Sequence, residues 1–167
     1  SSISSVIFLG ILMGSFFCSK ISDNSGRRIL LIIGSFLIGF FGLLSAFATS
    51  YGIFLSLSFL VGIGIGIIIP VSNCLSVESI PTYYRSMYLN SLWFCFPLGQ
   101  IFISIVGMEV MPNYEIEKWQ ELVFWAAIPA IIAFILMFFI YESPRFLIAN
   151  GRIEEGFEIL NKMGRER

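Results

Sequence analysis

Residues 19–28 read SKISDNSGRR, and the next charged position after Arg28 is Glu78. A knot holding Lys20, Asp23, Arg27 and Arg28 is therefore followed by 49 residues, 29–77, without one formal charge. A helix needs about 20 apolar residues to cross the hydrocarbon core of a bilayer. The uncharged run is too long for one span and fits two, broken near Thr49-Ser50-Tyr51-Gly52. Gly26 suits a tight turn between two antiparallel helices, and Arg27 and Arg28 can extend their heads to the membrane surface.

Working outward, the other uncharged stretches are 1–19, 86–108 and 122–141. The chain is 57% hydrophobic and 13% charged, with a mean hydropathy of +0.89. Soluble domains carry about 25% charged residues. The pattern predicts an all-α membrane protein, because backbone polar groups in lipid must be satisfied within their own segment. Five spans are expected, at about 3–20, 29–49, 53–77, 86–108 and 122–141, making a membrane bundle over 1–141. A helical segment over 142–167 follows, opened by Ser143-Pro144, with Ile153, Phe157, Leu160 and Met163 at amphipathic spacing.

Nine of the ten Lys and Arg fall on one side of this arrangement; only Lys118 falls on the other, among Glu109, Glu115, Glu117 and Glu121. The positive-inside rule makes the nine cytoplasmic, with the amino end outside and the carboxyl end inside. An odd number of spans with an exterior start and no leading Met suggests part of a longer chain. Plasma, vesicle and mitochondrial inner membranes satisfy the same asymmetry equally.

Chemistry-bearing clusters are scarce. There is no His, and Cys18, Cys74 and Cys95 lie within or at the ends of spans, spaced for neither a disulfide framework nor a metal site. Neither a nucleophile–base pair nor a nucleic-acid patch is evident, so no enzyme, cofactor, metal or nucleic-acid partner is expected. GIGIGI at 62–67 sits mid-span with no neighbouring Lys, which excludes a phosphate loop. Gly62 and Gly66, like Gly10 and Gly14, are instead spaced to let helix backbones approach. Three loops on the basic side each pair an acid with Arg: Asp23 with Arg27 and Arg28, Glu78 with Arg85, Glu142 with Arg145. Such a set can tie helix ends together.

At this point the residues resemble a family. SKISDNSGRR is similar to the signature loop of the major facilitator superfamily, G-x-L-A-D-R-x-G-R-R, matching at Asp23, Gly26, Arg27 and Arg28 and departing at Ser19 and Asn24. Glu78, Pro81 and Arg85 resemble its E-x-x-P-x-x-x-R loop, and ESPRFLIANGRIEEGFEIL resembles the segment after its sixth helix, with Tyr141 in place of the leading Pro. The resemblance covers helices two to six of twelve and is nearest the synaptic-vesicle-glycoprotein and organic-ion branch, with sugar porters close behind. Sugar porters place a sugar-binding Gln where Trp93 stands, and the Arg that usually precedes F-L-V-G is Ser58.

The resemblance implies a secondary transporter that moves a small organic solute or ion by alternating access between two halves. Asp23, Arg27, Arg28, Glu78, Arg85, Glu142 and Arg145 would form its cytoplasmic lock. From the residues themselves, Gln100 and, behind it, Trp93 and Asn90 are candidate substrate-lining side chains, although an interhelical hydrogen bond suits Gln100 slightly better than a ligand contact. The expected partners are the bilayer, the solute, and the remaining transporter half or neighbouring membrane subunits. A second reading stays open: a degenerate half-transporter retained as a structural subunit of a larger membrane complex.

Overall fold

The computed structural model describes residues 2–79, 83–110, 118–140, 142–149, 151 and 154–157, with the side chains of 19–25, 79, 88, 144, 145 and 149 outside that set. Its order is α1 (Ser2–Ser25), α2 (Arg27–Ser45), α3 (Tyr51–Ser79), α4 (Arg85–Val110), α5 (Trp119–Met137) and α6 (Pro144–Ala149). Among the described residues there is no strand. Four helices are long and apolar enough to cross a membrane, Arg27–Ser45, Tyr51–Glu78, Arg85–Val110 and Trp119–Met137, while Ser2–Cys18 is a shorter apolar stretch. The protein is an all-α, multi-pass membrane protein.

Glycine sets the layout of the bundle. A Cβ on Gly10 would strike the Phe59 carbonyl, and one on Gly14 the Ile63 carbonyl. From the other side, Cβ atoms on Gly62 and Gly66 would strike the carbonyls of Ile7 and Ile11. These two pairs bring α1 and α3 into backbone contact. Gly64, between them in GIGIGI, faces the opposite way, where an added Cβ would lie 2.8 Å from the Gly34 carbonyl on α2. Alternate glycines thus seat α3 between α1 and α2. On the outer side of α2, α5 packs with Gly39 against Ala130.

The dry core is small and lies toward the basic end: Cys18, Leu30, Leu31, Ile67 and Val71. Helix α4 stands apart, touching α5 and α3 lightly, and the residues of its middle from Asn90 to Phe102 are all exposed. Many large side chains face outward, Phe94 at 69% exposure and Phe139 at 77% among them, as the bilayer solvent allows.

Several helix ends differ from the expected spans: α1 runs on to Ser25, α2 ends at Ser45, and two further ends have a visible cause. Helix α2 starts at Arg27, two residues early, because its first N–H groups find an acceptor outside the helix. Helix α5 stops at Met137 although apolar residues continue to Ile140, and the Phe138 carbonyl beyond it accepts from Arg28. Of the amphipathic set in the carboxyl segment, Phe157 is exposed, whereas Ile153, Leu160 and Met163 lie outside the described residues.

Candidate functional site

Gly26 joins α1 to α2 with φ 86°, a left-handed value that suits glycine, and offers no side chain to cap α2. Glu142 supplies the cap from 115 residues away. Its Oε1 accepts from the backbone N–H of Arg27 at 2.9 Å, and both carboxylate oxygens accept from the N–H of Arg28 at 3.2 and 3.3 Å. An anion at a helix amino end satisfies orphan donors and meets the positive end of the helix dipole. The fit leaves no room for a larger residue, since a Cβ on Gly26 would sit 2.8 Å from Glu142 Oε2 and 3.1 Å from the Phe146 ring.

The side chains of the two arginines diverge. Arg27 donates to Glu78 Oε1 at 3.0 Å in an ion pair whose members are each 15% exposed. Its guanidinium also lies over the Phe146 ring, 5.1 Å from the centroid. Arg28 donates to the Phe138 carbonyl at 2.8 Å, placing a cation at the carboxyl end of α5. Glu78 takes two further donors: the Ser143 hydroxyl on Oε2 and the Cys74 thiol on Oε1 at 3.5 Å. Ser143, fully buried, also accepts from the Phe146 N–H at 3.4 Å and so caps α6.

Arg85 departs from the expected pairing with an acid. It donates to the Val77 carbonyl at 2.8 Å and closes the corner between α3 and α4. The Nε–H groups of Arg27, Arg28 and Arg85 are buried with no hydrogen-bond acceptor among the described residues. The side chains of Asp23 and Arg145 lie outside the described residues.

A separate cleft of about 390 Å³ opens between α3 and α4, lined by Ile69, Ser72, Asn73, Leu92, Trp93, Cys95 and Phe96. It has two aromatic walls and no charged side chain. Of the three substrate-lining candidates only Trp93 lies in its lining; Asn90 and Gln100 are exposed on α4 outside it. Gln100 nevertheless continues the same helical stripe, seven residues beyond Trp93 and four beyond Phe96. The amides of Asn73 and Gln100 have no hydrogen-bond partner among the described residues.

The sequence profile of the family described as "Sugar (and other) transporter" matches residues 1–167. The chain belongs to this family. Its relatives include human synaptic vesicle glycoprotein 2C, 31% identical over 166 residues, covering 93% of this chain and 23% of that protein. Organic cation/carnitine transporter 3 of Arabidopsis thaliana is 34% identical over 161 residues, covering 95% and 30% respectively. The partially occluded, inward-open structure of the xylose transporter XylE from E. coli superposes with a TM-score of 0.87 at 22% identity, covering 96% of this chain and 43% of that one. The chain thus spans less than a third of the length of these two curated relatives and under half of the xylose transporter chain. The family assignment and the superposition identify the bundle as an amino-terminal portion of a major-facilitator-type, sugar-porter-like fold, a family of membrane transporters rather than enzymes.

Within that fold the structure gathers Arg27, Arg28, Glu78 and Glu142 around one corner, with Arg85 at the start of α4 bonded to the Val77 carbonyl on α3. Sequence reasoning placed Ser143 at a helix start without its contact to Glu78, and did not single out Phe146 or Asn73. The S-P dipeptide marks that start locally, whereas the reach of the Ser143 hydroxyl to Glu78 on α3 depends on packing. Nothing in the spacing pairs Asn73 with Trp93, because the two lie on different helices.

Proposed function

We propose that this chain forms part of a secondary transporter that carries a small organic solute by alternating access, with five of its helices spanning the membrane and the basic corner facing the cytoplasm. The observation that carries the reading is the cleft in which Trp93 and Phe96 on α4 face Asn73 on α3, with Gln100 exposed farther along the same α4 stripe. An amide left without a partner in lipid costs on the order of 1–3 kcal/mol, and polar groups at membrane depth belong to protein interiors or aqueous cavities. One unpartnered amide in the cleft, Asn73, and a second exposed on the stripe that continues it, Gln100, favour a water-filled path over a lipid-facing surface. Trp93 then offers a flat apolar face to a solute, with Asn73 and Gln100 as hydrogen-bonding groups.

In this reading the corner of Arg27, Glu78 and Glu142 is the cytoplasmic lock, completed by Asp23, Arg28, Arg85 and Arg145, and it forms and breaks as the other half of the protein approaches and withdraws. Relatives named for organic cations and for xylose set the two solute classes to try first. The test is uptake by the full-length protein in proteoliposomes, with sugars and organic cations assayed separately. At least one class should accumulate, and Trp93→Ala should raise its KM more than it lowers protein abundance. Uptake of neither class above protein-free vesicles would count against transport.

A further inference from the structure

We infer that Phe146 is a positioning residue for the Arg27–Glu78 pair, and that α6 acts as a latch holding both members of that pair at once. The inference rests on the reading of the pair as a cytoplasmic lock. One short helix supplies both grips: its capping residue Ser143 donates its hydroxyl to Glu78 Oε2, and its Phe146 ring lies 5.1 Å beneath the Arg27 guanidinium. The residue before it, Glu142, fixes the Arg27 backbone at 2.9 Å. The groups that hold the pair from the carboxyl side thus come from α6 and the two residues before it, while α3 supplies Glu78 and the Cys74 thiol that donates to it.

The chemistry explains why a ring is needed there. Arg27 has its Nε–H buried without an acceptor among the described residues, so the guanidinium is held by one carboxylate oxygen and by the ring face. A cation over an aromatic face, away from bulk water, is attracted by the ring quadrupole. An aliphatic residue of similar volume would fill the space without that attraction, leaving Arg27 free to swing from Glu78. Gly26 keeps the ring at this position, because any Cβ there would lie 3.1 Å from Phe146 Cε1.

Cys95 provides a native reporter, since it is exposed in the α3–α4 cleft whereas Cys18 is buried. Full-length protein in sealed membranes would be treated with an impermeant maleimide on the side bearing Arg27, and labelling of Cys95 followed by mass spectrometry. Phe146→Leu should speed labelling by about fivefold, the population shift a partly desolvated cation–π contact can supply. Phe146→Trp should restore the wild-type rate, which a merely space-filling role would not require. Ser143→Ala, which leaves the ring in place, should also speed labelling and covers the case in which Phe146→Leu fails to accumulate. Arg27→Gln and Glu78→Gln separate the two ideas. If they speed labelling while Phe146→Leu and Ser143→Ala do not, the latch is overturned and the lock stands. If neither of the pair's own variants changes the rate, the lock reading falls, and the latch with it.

Discussion

The carboxylate of Glu142 receives the backbone N–H of Arg27 at 2.9 Å, so the start of α2 is capped by the segment that follows α5. Arg28 returns the connection by capping the Phe138 carbonyl at the end of α5. An anion at one helix amino end and a cation at the other helix carboxyl end bind α2 and α5 reciprocally.

Removing the anion should therefore cost what a helix cap costs, about 1–2 kcal/mol. Glu142→Ala leaves the N–H groups of Arg27 and Arg28 without their acceptor, whereas Glu142→Gln keeps one acceptor oxygen and loses the charge. Thermal unfolding in detergent should rank wild type above Glu142→Gln, and that above Glu142→Ala. Equal losses for the two variants would mean that charge, not hydrogen bonding, carries the effect.

Two glycines with positive φ separate strain from crowding. Gly26 at φ 86° is surrounded by Glu142 and Phe146, while Gly151 at φ 80° would give an added Cβ nothing within 4 Å. Alanine in a left-handed conformation costs roughly 1–2 kcal/mol at either place. Gly26→Ala should lose more than Gly151→Ala, since it must also push the capping carboxylate off α2. A similar loss at both would remove the steric part of the argument.

The α1–α3 seam makes a comparable contrast. Gly14→Ala would drive a Cβ into the Ile63 carbonyl and should cost about 1–3 kcal/mol through separation of the two backbones. Gly42→Ala meets open space and should be neutral, or stabilising by up to about 1 kcal/mol through helix propensity. Melting temperatures of the two variants in the same detergent would check the sign of each.

These contrasts show where the sequence is informative and where it is not. Charge-free run lengths place the helices, and glycine spacing marks Gly10, Gly14, Gly62 and Gly66 as points of close backbone approach, because both depend on local geometry; that the two pairs meet each other comes from the fold. The same spacing says nothing of Gly64 and Gly34, whose meeting depends on which helix lies behind α3. Likewise the acid in ESPR is visible, but its choice of the Arg27 and Arg28 backbone over an arginine side chain is not. That choice is set by the packing of α5 on α2, which delivers the carboxylate to an uncapped helix start. Asn73 escaped notice for a similar reason, since only the approach of α3 and α4 gives it a cleft to face.

Topology rests on the charge distribution alone. Residues 109–121 carry four acids and one Lys, and nine of the ten basic residues lie on the opposite side in the five-span arrangement. Single cysteines at Asn113 and Asn161 should react with an impermeant reagent from opposite sides of a sealed membrane. Reaction of both from one side would rule out the five-span orientation.

The contrast between a transporter and a structural subunit comes down to what faces Gln100. Its helix is exposed along its middle, and Gln100 shares a stripe with Trp93 and Phe96 while Leu98 points nearly the opposite way. If that stripe lines a solute path, Gln100→Cys and Asn73→Cys should react with a water-soluble methanethiosulfonate in native membranes, and Leu98→Cys should be at least about tenfold slower, as expected of a thiol in lipid, where the reactive thiolate is suppressed. The path must also close, so locking the basic corner through a cysteine pair should cut the reaction from that side. In a structural subunit the stripe would be covered by a neighbour, which would have to satisfy the Gln100 amide. Gln100→Cys would then be as slow as Leu98→Cys on both sides, and that pattern would replace transport with the subunit reading.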